Sequence, residues 1–222
     1  MCFTPSISLS IFLIEWVLGF IVLSKRPKNA LRKMYTLAAV LLFFLGAHQF
    51  TQFMFCVSGD FELWGTLGFL AYNFLPAIGL HWAHALIKRK AGMFYVYFLP
   101  VIFSLIAIMT PNFVREAGCS SYFITAEHSW TGIIAGIYDM YYFGFIIYTA
   151  YLMFKAYMAK GKDWKIVRVG FIGILAFTVP TFILVEVFPS LHIMFPSILC
   201  EFAVLFALCL FYMIYLLEKR HR

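Results

Sequence analysis

The chain is a succession of seven apolar runs, each about as long as the hydrocarbon core of a bilayer is thick. A helix needs about 20 apolar residues to cross that core, and only helices or closed barrels satisfy their own backbone there. The sequence therefore predicts an all-α polytopic membrane protein, with residues 1–222 forming a single domain that is a seven-transmembrane-helix bundle. The predicted helices are 7–24, 34–57, 64–87, 93–110, 130–157, 166–188 and 197–217.

Composition excludes a soluble domain. Of the 222 residues 64% are hydrophobic and 12% charged, and the mean hydropathy is +0.90, whereas soluble domains carry about 25% charged residues. The net charge of +7 would suit nucleic acid, but the basic residues lie in short connections between apolar runs. Basic residues in that position set topology, so the predicted partner is the lipid bilayer and not nucleic acid.

Lysine and arginine are confined to alternate connections of the bundle. They cluster after the first, third, fifth and last runs, and only Arg115 lies in the remaining connections. Those connections carry Asp60, Glu62, Glu116 and Glu127 instead. By the positive-inside rule, the N-terminus is predicted to lie outside and the C-terminus in the cytoplasm.

The run 64–87 is the most informative single helix. Asn73 and Pro76 interrupt it near its middle, and His81 and His84 follow one helical turn apart, just before three basic residues. A polar group in hydrocarbon needs a partner, so this helix is expected to face protein. An i, i+3 histidine pair binds zinc only with further ligands, and no carboxylate lies at that depth. The pair is therefore interpreted as packed or hydrogen-bonded at the inner end, and no metal site is predicted.

Other polar and acidic residues fall in the predicted outer half of five runs. Intramembrane ionisable groups are costly and are candidates for function, and the runs hold no lysine or arginine at this depth. The hypothesis is a water-accessible pocket for a small ligand or ion, whose acids need protonation, water or a cationic guest. The alternative is that each group pairs with a neighbour, which stabilises helix association by about 1 kcal/mol. With Asn73, the candidate ligand-binding set is Glu15, His48, Gln52, Asn73, Asp139, Glu186 and Glu201.

Cysteines and missing motifs narrow the chemistry. The five cysteines show no metal-binding spacing, while Cys56 and Cys119 fall on the predicted outer side, where a disulfide is permitted; sequence leaves that pairing open. The run 197–217 has no lysine to form a retinal Schiff base, and no G-x-S-x-G or HExxH motif occurs. No cofactor is predicted, and an enzyme is the less favoured class.

Three segments resemble a known family. KRPKNALRKMYTLAAVLLFFLGAHQF (25–50), FLPAIGLHWAHALIKRK (74–90) and FLPVIF (98–103) are similar to the seven-helix N-terminal sensor region of bacterial histidine kinases and related diguanylate cyclases, over nearly the whole chain. The resemblance implies a bacterial cytoplasmic membrane and matches His81 to the family's Leu-His motif. This chain departs from the family at Ala47-His48, where a tryptophan is common.

The resemblance also implies signalling, although no output domain follows the seventh run. The expectation is a receptor-like sensor that acts on a cytoplasmic effector in trans, or a sensor region separated from its effector; a homodimer stays open. The alternative is a small transporter with the topology of the SWEET sugar transporters, for which no three-helix repeat is found. A third hypothesis is an intramembrane metal-dependent hydrolase using His81.

Overall fold

The structure is a computed structural model that describes residues 4–27, 31–87, 93–119, 124–161, 164–188 and 195–221. Within these ranges the chain is almost entirely helical. The elements are α1 (Thr4–Ser24), α2 (Arg32–Ser58), α3 (Phe61–Asn73), α4 (Leu75–Leu86), a 3-10 turn (Met93–Tyr97), α5 (Phe98–Met109), β1 (Val114–Cys119), β2 (Ile124–His128), α6 (Gly132–Met158), α7 (Trp164–Val187) and α8 (Phe195–His221).

Helices of membrane-spanning length and apolarity dominate the described residues. Six segments qualify: Pro5–Ser24, Arg32–Ser58, Phe61–Leu86, Gly132–Met158, Trp164–Leu184 and Phe202–Lys219. A further apolar helix, Tyr95–Met109, is shorter. The chain is therefore an integral, multi-pass, all-α membrane protein, as its composition predicts. The count of seven crossings and their orientation stay predictions.

The helix predicted at 64–87 is divided into α3 and α4, which meet at Phe74. Pro76 lies in the first turn of α4, where its missing N–H removes no helical hydrogen bond. The two pieces together still provide the length of one membrane crossing. The proline is thus placed where it costs α4 no hydrogen bond in an apolar layer.

α2 lies at the centre of the bundle and packs against α1, α3, α4 and α8. One large cluster of buried apolar side chains joins α1, α2, α4, α6, α7 and α8. Leu42, Trp82, Met153 and Leu210 are among its most buried members. The ion pair between Lys25 Nζ and Glu218 (3.0 Å) links α1 to α8 at one end of the bundle, called the basic end.

The connection between α5 and α6 forms an antiparallel hairpin, β1–β2, at the opposite end of the bundle. A disulfide joins Cys56 at the end of α2 to Cys119 in β1, which settles the pairing that the sequence left open. The Glu62 carboxylate of α3 accepts hydrogen bonds from the N–H groups of Phe113 (2.7 Å) and Val114 (3.0 Å). The hairpin is therefore fixed to both α2 and α3, and this end is called the hairpin end.

Candidate functional site

A cavity of about 420 Å³ lies inside the bundle, beside the base of the hairpin. This size falls within the range of small-molecule sites, about 300–1,000 Å³. Its described lining comes from α2, α3, α4, α6, α7 and α8, together with residues that flank or belong to the hairpin. α2 contributes the longest stretch: Leu41, Leu45, His48, Thr51, Gln52 and Phe55.

His48, Thr51 and Gln52 of α2 form one side of the cavity, called the polar wall, and His48 lies at its centre. Its Nδ1 lies 3.1 Å from the Gly68 carbonyl oxygen, which only accepts hydrogen bonds, so Nδ1 carries the proton and donates. Its Nε2 lies 3.0 Å from the Gln52 amide nitrogen, which donates to it. This i, i+4 pair therefore holds the imidazole in one tautomer and one orientation at the cavity wall.

A glycine allows this polar wall to form. A Cβ added at Gly68 would lie 3.0 Å from Thr51 Oγ1 and 3.6 Å from His48 Nδ1. The backbone of α3 can therefore approach α2 closely enough for its carbonyl to reach the imidazole. Thr51 in turn donates from its hydroxyl to the His48 carbonyl (2.7 Å), so its side chain is already hydrogen-bonded at this contact.

Aromatic rings form a second wall, named the aromatic wall: Phe69, Phe113, Trp130 and Tyr138. The Phe69 ring centroid lies 4.9 Å from Phe113, 5.2 Å from Trp130 and 5.3 Å from Tyr138. Edge-to-face and tilted contacts at these distances are favourable beyond the area they bury. The rings come from α3, α6 and both flanks of the hairpin, so the wall exists only when the hairpin is in place.

Asp139 is the one carboxylate among the described residues that line the cavity, and none of those residues is a lysine or arginine. It lies on α6 directly after Tyr138, and its side chain is exposed at the rim. His128, which also lines the cavity, is near enough to interact with it electrostatically. Acidic and hydrogen-bonding groups therefore meet an otherwise apolar and aromatic space.

The structure brings together three of the predicted ligand-binding residues: His48, Gln52 and Asp139. Glu186 does not join them, because it is exposed on α7 away from the cavity. Glu201 belongs to α8, but its side chain lies outside the described part of the structure. The role of these residues in binding stays a prediction.

Glu15 lies elsewhere because of its position around α1. It shares one buried face with Ser8 and Val22, each seven residues away, and this face turns toward the bundle but not into the cavity. Its side chain is 0% exposed, and both carboxyl oxygens are buried without a hydrogen-bond partner among the described residues. An unsatisfied buried carboxyl is costly, so Glu15 is an anomaly separate from the cavity.

Asn73 stabilises the α3–α4 junction and does not line the cavity. Its amide donates to the Pro100 carbonyl (2.7 Å) and to the Ser104 hydroxyl (3.0 Å). The backbone carbonyl of Asn73 accepts a hydrogen bond from the Tyr141 hydroxyl (2.6 Å). These bonds join α3 to α5 and α6. Asn73 is therefore paired with neighbouring helices, which is the alternative to a role in ligand binding.

The inner-end pair occupies α4, away from the cavity lining. His81 Nδ1 lies 2.8 Å from the Tyr97 hydroxyl, while His84 is buried with its ring centroid 6.4 Å from that of Tyr148. His81 is therefore hydrogen-bonded and His84 is packed among neighbouring side chains, an environment typical of structural residues. No cluster of three potential metal ligands occurs among the described residues.

Sequence reasoning missed the aromatic wall and His128. The chain has 27 phenylalanines and 13 tyrosines, so an aromatic residue in a connection is not distinctive. The available signal was the cysteine pair, because a bridge from Cys56 to Cys119 would bring the connection back over α2. Comparison of the chain with family models, with curated proteins and with solved structures gives no match.

Proposed function

We propose that this chain is a receptor-like membrane sensor that binds a small molecule in its central cavity and signals to a cytoplasmic partner. The observation that carries the proposal is the cavity itself, where His48, Gln52 and Asp139 meet an aromatic wall. An apolar cavity with a few convergent polar groups is the usual form of a small-molecule site. Seven crossings are included, with the short helix Tyr95–Met109 as one of them.

The proposed orientation places the hairpin end outside and the basic end in the cytoplasm. The basic residues near the ends of α1, α6 and α8 support it through the positive-inside rule. The Cys56–Cys119 disulfide supports it independently, because disulfides persist in oxidising compartments and are rare in the cytosol. The membrane proposed is the bacterial cytoplasmic membrane, following the family resemblance.

Signalling is proposed to pass through the α3–α4 junction. Tyr72 and Pro76, on either side of that junction, both line the cavity, and α4 continues from there to the basic end. A ligand that favours one arrangement of this junction would change the position of α4, since a ligand shifts a conformational equilibrium by its differential affinity. The resemblance to sensor regions makes a kinase or cyclase the expected effector.

Site-specific crosslinking from native-level expression tests this proposal. A photocrosslinking residue replaces Lys160, which is exposed at the basic end, and a matched one replaces Asn112, which is exposed at the hairpin end. We expect a kinase, cyclase or other signalling enzyme to be captured from position 160 and not from position 112. Capture is followed by an assay of that enzyme's output with wild-type protein and with a cavity-filling Gly79→Phe variant.

A change of output in Gly79→Phe, but not in Gly144→Phe, would support a cavity-controlled sensor. Gly79 lines the cavity, Gly144 does not, and a Cβ at either position meets no atom within 4 Å. Recovery of only lipids or further copies of this chain would contradict signalling. Solute flux in proteoliposomes that stops in Gly79→Phe would favour the transporter hypothesis instead.

A further inference from the structure

We infer that the cavity takes an organic cation: a small molecule with one ammonium group and an aromatic or aliphatic body. The inference rests on the proposed function and specifies the ligand class of the same site. It is carried by the charge of the lining, by the aromatic wall next to that charge, and by the apolar depth of the cavity.

The charge of the lining selects against anions. Asp139 supplies a carboxylate, and the described lining residues include no lysine or arginine that would pair with an anionic ligand. His128 acts electrostatically on Asp139, so an ammonium ligand would share or replace that interaction. His48 does not serve as a donor to an anion, because its Nδ1–H is used by the Gly68 carbonyl and its Nε2 accepts from Gln52. A carboxylate at the edge of a low-dielectric space attracts an opposite charge more strongly than it would in water.

The aromatic wall favours the same charge. Tyr138 and Trp130, whose ring centroids lie 5.7 Å apart, line the same cavity as Asp139. Aromatic rings attract cations through their negative faces, and tryptophan and tyrosine do so more strongly than phenylalanine. A cationic ligand that fills the cavity would therefore meet both the carboxylate and the aromatic rings that line it.

The deeper lining determines the rest of the molecule. Away from Asp139, the cavity is bounded by apolar groups such as Leu41, Leu45, Ile174, Ala203 and Phe206. An inorganic cation would leave this space empty and would keep no hydration shell there. An amine with an apolar body places its charge at the rim and buries its hydrocarbon, which is favourable in proportion to the area buried.

Binding of three probes of similar size and different charge tests the inference. The full-length protein in nanodiscs of phosphatidylcholine is titrated with 2-phenylethylammonium, neutral 2-phenylethanol and anionic phenylacetate, and binding is followed by tryptophan fluorescence. Trp64 and Trp130 both line the cavity and report occupancy. We expect the cation to bind most tightly. Asp139→Asn should weaken it about tenfold, since a contact to a charged group contributes about that factor, and should leave the neutral probe unchanged.

Glu186→Gln is the matched control, because it also removes one carboxylate but lies exposed and outside the cavity; it should leave all three affinities unchanged. Preference for the neutral probe or for the anion, or a cation affinity unchanged by Asp139→Asn, would overturn the inference. Those results would still leave a ligand in the cavity, so the proposed function would stand with another ligand class. Absence of binding by all three probes would also overturn the inference, whereas the proposed function is judged separately by the crosslinking experiment.

Discussion

The two sides of α2 are built differently, although each uses a glycine for close approach. Toward α1, a Cβ on Gly46 would lie 2.4 Å from Trp16 Cδ1, and the contact is filled by aromatic and aliphatic side chains. Toward α3, Gly68 admits a polar network centred on His48, and a cavity remains. Close packing gives stability, while an incompletely filled polar contact gives space for a ligand. The α1 side of α2 is therefore close-packed, and the α3 side is the one on which the proposed ligand site lies.

Breaking the disulfide is expected to have the largest effect on the hairpin side. The bridge closes a loop with a sequence separation of 63 residues, and chain-entropy arguments give a stabilisation of about 4 kcal/mol for such a loop. Cys56→Ala should therefore lower the free energy of unfolding by about 2–4 kcal/mol, as measured by chemical unfolding in detergent micelles. Cys209→Ala, which removes a free cysteine, is the control, and equal effects of the two variants would contradict the assignment.

A methyl group on the tightly packed side should cost somewhat less. Gly46→Ala places a Cβ against the Trp16 ring, and the Trp16 indole is itself held by its N–H bond to the Phe43 carbonyl (3.3 Å). Overpacking of this kind costs about 1–3 kcal/mol, measured by the same unfolding method. Gly144→Ala introduces the same methyl where no atom lies within 4 Å, and it should be neutral or slightly stabilising. A neutral Gly46→Ala would show that the α1–α2 contact is not close-packed.

Removing the Glu62 carboxylate should loosen the hairpin with a smaller loss of stability. Glu62→Ala deletes the acceptor for two backbone N–H groups, on Phe113 and Val114, at a cost of about 1–2 kcal/mol for partly exposed bonds. The backbone amides of Phe113 and Val114 should exchange faster, as measured by hydrogen–deuterium exchange. Asp60→Asn keeps an oxygen that can cap α3 and should leave that exchange unchanged. Unaltered exchange in Glu62→Ala would contradict its role as an anchor.

Replacing Glu15 should change stability in the opposite direction. Its buried carboxyl has no hydrogen-bond partner among the described residues, and replacing an unsatisfied polar group by an apolar one of similar size removes a penalty of about 1–3 kcal/mol. Glu15→Leu should therefore raise the thermal unfolding temperature, while Val22→Ala, on the same face of α1, should lower it. A destabilised Glu15→Leu would mean that the carboxyl makes an interaction outside the described residues.

The fold class was predictable because bilayer crossing imposes a simple requirement on length and polarity. The i, i+4 relation of His48 and Gln52 was also readable, because helical spacing alone brings them together. The sequence could not show that Glu15, Asn73 and Glu186 lie outside the cavity. The depth of a residue in the membrane follows from its position in the sequence, whereas the rotation of its helix depends on the neighbouring helices. The place of Trp130 in the cavity wall likewise depends on the position of the disulfide-bonded hairpin, and no local sequence pattern specifies that position.

Native mass spectrometry of protein extracted gently from its own membrane tests most directly whether the cavity holds a small molecule. We predict that the wild-type chain retains one, that Gly79→Phe loses it, and that Gly144→Phe keeps it, because only Gly79 lines the cavity. A Cβ at Gly79 or at Gly144 meets no atom within 4 Å, so general lipid binding would affect both variants alike. Equal retention by both phenylalanine variants, or a wild-type chain that carries no bound molecule, would contradict the assignment of this cavity as a ligand site.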